Sequence, residues 1–114
     1  MTREELLVMN RETFCDVSSW KISDWLKDQI SFKLEIAYNL GIIGDIENLA
    51  AQRKTAREIA NSIPAARWRS VSDTQDRVDV VRTARNRLEI PSMDQKTEFE
   101  EWISNRNRMS ITHD

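Results

Sequence analysis

Scarcity is the first property of this sequence. Its strongest chain breakers are two glycines and two prolines, Gly41, Gly44, Pro64 and Pro91, in 114 residues. A β-sandwich or barrel needs a turn roughly every ten residues, and most of those turns draw on Gly, Pro or Asn. So few breakers argue against many short strands and favour a small number of long helices. Cys15 is the only cysteine, which rules out an intramolecular disulfide and suits a reducing compartment. Cys15 itself reads as a small buried hydrophobe, since no base accompanies it. His113 is the only histidine and is followed by a single residue, so histidine-based acid–base or nucleophile chemistry has nowhere to be assembled. No stretch approaches the ~18 consecutive apolar residues of a membrane span. The opening Met1-Thr2-Arg3-Glu4-Glu5 lacks the apolar stretch of a secretory signal. The expectation is a soluble, cytoplasmic protein.

What the sequence does contain is helical periodicity. With 39% hydrophobic and 32% charged residues, the balance is that of an ordinary globular domain. Thr2 followed by Glu5 is a capping-box pattern opening a first helix over about 2–14. A second element, 19–42, starts at Ser19 or Ser23 and carries Ile22, Trp25, Leu26 and Ile30 at helical intervals. Within it, Ile30 to Leu40 also alternates with strand period. A lone strand does not persist, and the same residues form two helical rows, Ile30-Leu34-Ala37 and Phe32-Ile36-Leu40. Such a helix, apolar on two sides, belongs at the centre of a bundle. Gly41 to Gly44 ends it, and Asp45 is the expected N-cap of a third helix over 45–63, stopped by Pro64. Ala65 to Val71 is a connector. Ser72 with Gln75 opens a fourth helix, 72–89, with Val78, Val81, Ala84 and Leu88 inward. Ser92 with Gln95 opens a fifth, 92–107, with Phe99, Trp102 and Ile103 inward. The predicted fold is all-α: a compact bundle of four to five helices, one domain over 1–108 and a polar tail over 109–114.

The net charge of −2 conceals segregation. Met1 to Leu49 has five basic and nine acidic residues, Ala50 to Leu88 nine and four, and Glu89 to Asp114 three and six. Eight of the nine central cations are arginines, whose planar fork suits phosphate or carboxylate. The plain reading is solvated helix faces; the functional one is a cationic stripe facing phosphate or an acidic protein surface.

The candidate partner-binding residues are Arg67, Trp68 and Arg69, with Arg82 and Arg85 on the fourth helix and Trp20 before the second. An aromatic flanked by two guanidiniums has the composition of an interface hot spot. The competing assignment has Trp68 closing one end of the core. Trp25 and Trp102 fall on inward stripes and are expected in the core. Asp73, Asp76 and Asp79 have a spacing that can share a cation, but helix-dipole and ion-pair roles account for them as well, and no matching acidic motif accompanies them. No metal, cofactor or catalytic residue is predicted, and no Gly-rich phosphate loop is present.

Thr55 to Ala60, with Ile63-Pro64 and Val71, resembles part of a helix-turn-helix over 55–71. The turn glycine is missing, and Pro64 and Trp68 stand where a recognition helix would run. The leading expectation is a non-enzymatic protein-binding module: an adaptor, regulator or inhibitor, a format common among phage and mobile-element accessory factors. The alternative is nucleic-acid binding by the basic region 50–88. A homodimer through the apolar rows of 30–40 stays open.

Overall fold

The computed structural model describes residues 2–89, which form seven helices without a strand: α1 (Arg3–Val8), α2 (Arg11–Phe14), α3 (Asp24–Leu40), α4 (Ile43–Ala51), α5 (Ala56–Ser62), α6 (Ala65–Trp68) and α7 (Thr74–Glu89). The all-α expectation holds, and 30–40 is helix. The fifth predicted helix, with Phe99, Trp102 and Ile103, lies outside the described residues, as do His113 and the tail.

Several elements are more finely divided than the periodicity suggested. The stretch 2–14 is two helices, because Asn10 accepts a hydrogen bond from the Thr13 amide at 2.9 Å and caps a new start. Thr2 caps α1 as expected, accepting from the Glu5 amide. The second element begins at Asp24, with Ser23 as the cap. Its end is a Schellman motif: Gly41 sits at φ 71° and its amide bonds the Tyr38 carbonyl, while Ile42 N–H reaches that of Ala37. Only glycine adopts this left-handed position without cost.

The stretch 45–63 breaks at Gln52 to Lys54, where Arg53 takes φ 61°. Thr55 then opens α5 with a reciprocal capping box to Glu58. Asp45 is not an N-cap; α4 starts two residues earlier, at Ile43, and has no side-chain cap. The cap of the last helix is Asp73 rather than Ser72, its carboxylate accepting from the Asp76 amide.

The larger correction concerns which helix is central. It is α7, not α3. Val78, Val80, Val81, Ala84 and Leu88 are buried, and so are the polar Asp79 and Thr83 between them. Those positions span most of the helix circumference, and α7 packs against α1, α3, α4 and α5. Its composition hid this, because arginines supply much of the sequence and their long stems run out of the core while the heads stay polar. The Thr83 hydroxyl is satisfied by the Asp79 carbonyl at 2.7 Å. One apolar row of α3 is fully enclosed, Ile30, Leu34 and Ala37 with Leu26 beside them, while in the second row Ile36 and Leu40 pack half-buried against the core and Phe32 is left exposed.

Candidate functional site

Trp68 takes the core position of its competing assignment, while Trp20 and Trp25 reverse the roles expected of them. Trp68 is fully buried, and its indole N–H donates to the Ala60 carbonyl at 3.2 Å. Pro64 launches α6, the single turn that turns Trp68 inward. Its ring therefore has no face left for a partner or a base. Trp20, named as a contact residue, is also buried, at 8% exposure. Trp25, expected in the core, is 49% exposed. Its neighbour Leu26 takes the inward position instead.

The arginines around Trp68 divide in the same way. Arg67 is exposed but tied down, donating to the Gly41 carbonyl at 2.8 Å and pairing with Asp45 at 3.0 Å. Arg69 is exposed, at φ 52° and ψ −114°. Arg82 and Arg85 are half-buried on α7. Arg77 and Arg87 each donate Nε to a backbone carbonyl, of Val71 and Phe14 respectively. Arg67, Arg77 and Arg87 are thus committed to structural contacts, and with Trp68 and Trp20 buried the six predicted contact residues do not form one exposed surface. Nor does 55–71 build a groove-reading helix: α6 has one turn, and the helix after it is the core of the bundle.

Two of the three spaced aspartates have local tasks. Asp73 caps the helix, and buried Asp79 accepts from the Gln75 amide group at 3.3 Å. Among the described residues no group of three or more potential ligands converges on a metal position. No helix among them is long and apolar enough to cross a membrane.

A different surface is assembled by α3. Phe32 is 61% exposed and Trp25 49%, and Ile36 is half-buried one turn beyond Phe32. Trp25 and Phe32 are two turns apart, about 10 Å along the axis at 1.5 Å per residue. Trp25 and Phe32 form the outer apolar face of the helix, turned away from the buried row, and Ile36 continues it toward the core, against which it packs. The sequence contained the signal, a helix apolar on both sides, but not which row would be covered.

Beside this row runs an acidic cleft of about 580 Å³ between α3 and the α2 region. Five carboxylates line it, Glu12, Asp16, Asp24, Asp28 and Glu35, against two cations, Arg11 and Lys27. Both cations are engaged within the cleft: Arg11 lies 3.5 Å from Glu12, and Lys27 donates to the Ser18 carbonyl at 2.9 Å. Asp16 accepts from the Ser18 amide at 3.0 Å, and hydrogen bonding from Ser18 holds its carboxyl below the usual aspartate range. It therefore stays ionised. Cys15 lies at the cleft wall with its thiol pushed up, first by burial and then by the Glu35 carboxylate. A protonated thiol in negative surroundings is a poor nucleophile, which agrees with its reading as a packing residue.

No protein-family model matches the chain, and no curated protein or solved structure matches it either.

Proposed function

We propose that the protein is a protein-binding module, an adaptor, regulator or inhibitor without chemistry of its own, and that its contact surface is the outer face of α3. The observation that carries this reading is the pair of large exposed side chains, Trp25 and Phe32, aligned on one helix face, with half-buried Ile36 one turn further along. Isolated exposed hydrophobics are ordinary, whereas an aligned aromatic pair on a rigid helix forms an anchor of the type that dominates interface energetics. The helix beneath is held by a buried opposite face, so little ordering entropy is lost when a partner docks. Nucleic-acid binding receives less support, because Arg67, Arg77 and Arg87 are committed to intramolecular contacts.

The test is affinity purification from the native host, followed by reconstitution with each recovered protein in purified form. Trp25→Ser combined with Phe32→Ser should weaken the reconstituted complex at least about tenfold, or ~1.4 kcal/mol, with circular dichroism unchanged. Undiminished binding by the folded double variant overturns the assignment of this face.

A further inference from the structure

We infer that the occupant of the α3 face is a cationic amphipathic segment of another protein, one that lays apolar side chains on Trp25 and Phe32 and sets Lys or Arg side chains into the adjoining acidic cleft. This rests on the reading of α3 as the contact surface and specifies the chemistry of what it contacts.

The apolar row and the cleft are two sides of the same helix. At about 100° per residue, Asp28 and Glu35 lie only some 40–60° around α3 from Phe32. A rod resting on the aromatic row therefore reaches the carboxylates with side chains of ordinary length. Helix-in-groove recognition has this form: anchors at i, i+3, i+4 and i+7, with flanking charge setting orientation and partner choice. The cleft leaves negative charge to be answered: its five carboxylates outnumber its two lining cations even with Arg87, close to Asp16, counted as a third.

Charge also argues against the other occupants. The segment 90–114 holds three basic and five acidic residues, so its own charge opposes the cleft. A second copy laid antiparallel across α3 sets Asp28 and Glu35 against the same carboxylates of its twin, and like charges facing each other are disfavoured. Phosphate is repelled outright.

The probe is a labelled helical peptide of about five turns, roughly 18 residues at 3.6 per turn, with Leu along one face and Lys flanking it. Its counterpart carries Glu in place of every Lys. Binding to the purified full chain is followed by fluorescence anisotropy. The Lys-flanked peptide should bind saturably, and the Glu-flanked one at least about tenfold more weakly. Trp25→Ser with Phe32→Ser should weaken the first by a similar factor. Asp28→Lys with Glu35→Lys should invert the preference, whereas the same change of net charge made outside the cleft, Glu4→Lys with Asp76→Lys, should not, which separates the cleft from non-specific attraction to net charge.

The outcomes separate. If both peptides bind equally and both lose affinity in the Trp25/Phe32 variant, the charge assignment is overturned while the contact face stands. If that variant binds the Lys-flanked peptide like wild type, the face itself is wrong. Tighter peptide binding by a Phe99→Ser, Trp102→Ser chain would mean that the protein's own 90–114 segment fills the face, and the inference fails. Sedimentation showing a dimer that Phe32→Ser dissolves would assign the face to a second copy, with the same consequence.

Discussion

Arg87 grips Phe14 twice: its Nε donates to the Phe14 carbonyl at 3.0 Å, and its guanidinium carbon lies 5.6 Å from the centre of the same residue's ring. A further nitrogen of the fork reaches the Thr13 carbonyl at 3.5 Å. The contact ties the end of central α7 to α2, across more than seventy residues of sequence. Arg77 repeats the device at the start of α7, with Nε on the Val71 carbonyl and the guanidinium 5.7 Å from the Trp68 ring. Burial pushes the Arg87 pKa down, opposed by the neighbouring Asp16 and Cys15, yet a guanidinium keeps its proton in proteins. The contact is therefore charge-assisted at any ordinary pH.

Replacing Arg87 tests whether the fork or the charge matters. Arg87→Lys preserves charge but not the planar donors, so it should lower unfolding free energy by about 1.5–3 kcal/mol, the range for a hydrogen bond to a charged group. Urea unfolding followed by circular dichroism reads the difference. A midpoint equal to wild type would show that the two-point contact contributes nothing.

Trp68 should behave as a core residue in every assay. Trp68→Ala is expected to cost about 3–5 kcal/mol, the usual range for deleting a buried aromatic. Trp68→Phe keeps most of the volume but leaves the Ala60 carbonyl without its donor, at a cost of roughly 1–3 kcal/mol. By contrast, Arg69→Ala should leave partner binding intact. Any loss of binding in Trp68→Ala should track the fraction unfolded; loss in a fully folded Trp68→Phe chain would return this residue to the contact surface.

The contrast between Trp68 and Trp25 marks where the sequence stops being legible. Helical period identified α3 and α7 and the inward set Val78, Val81, Ala84 and Leu88, because spacing alone decides which residues share a face. It could not decide which of two apolar faces on α3 would be covered, since that depends on the position of other helices. The central place of α7 is hidden for a related reason. A helix rich in arginine reads as exposed, yet long stems let α7 run through the core with its charges at the margins. Some boundaries do carry a local signal: Thr55-x-x-Glu58 is a capping-box pattern, and it marks the break that divides 45–63. Others had no local signal. Arg53 and Arg69 take positive φ without being glycine, a choice imposed by tertiary context. The exposure of the Trp25–Phe32 row and the acidic cleft beside it became visible only when α2 and α3 were placed together.

Those positive-φ residues give a stabilising prediction. Arg69, at φ 52° and ψ −114°, occupies a backbone region that costs a residue with a Cβ about 1–3 kcal/mol. Arg69→Gly removes that cost but adds freedom to the unfolded chain, leaving a net gain of about 1 kcal/mol, or some 4–8 °C in Tm for a domain of this size. Arg69→Val should move Tm in the opposite direction. Calorimetry on the two variants reads the sign, and a lower Tm for the glycine variant would refute the strain assignment.

Acid should weaken the start of α5 through one carboxylate. The Glu58 carboxylate accepts from the Thr55 amide at 3.0 Å, and the Thr55 hydroxyl accepts from the Glu58 amide at 3.1 Å. The bond from the Thr55 amide, followed by that from its side chain, holds the Glu58 pKa below the usual glutamate range. A carboxyl whose folded pKa lies below its unfolded one adds stability above the unfolded value, and that stability disappears as pH falls through the folded one. The loss should therefore begin near the ordinary glutamate value of about 4.3 and finish below it. Glu58→Gln keeps an oxygen for the Thr55 amide but cannot titrate, so its stability should be flatter with pH across that window. Thr55→Ala should cost about 1 kcal/mol at neutral pH, as expected for loss of an N-cap, and less once Glu58 is protonated. Carbon-detected NMR titration of the Glu58 carboxyl gives the direct reading. Titration at the ordinary glutamate value would mean that the reciprocal cap does not persist in solution.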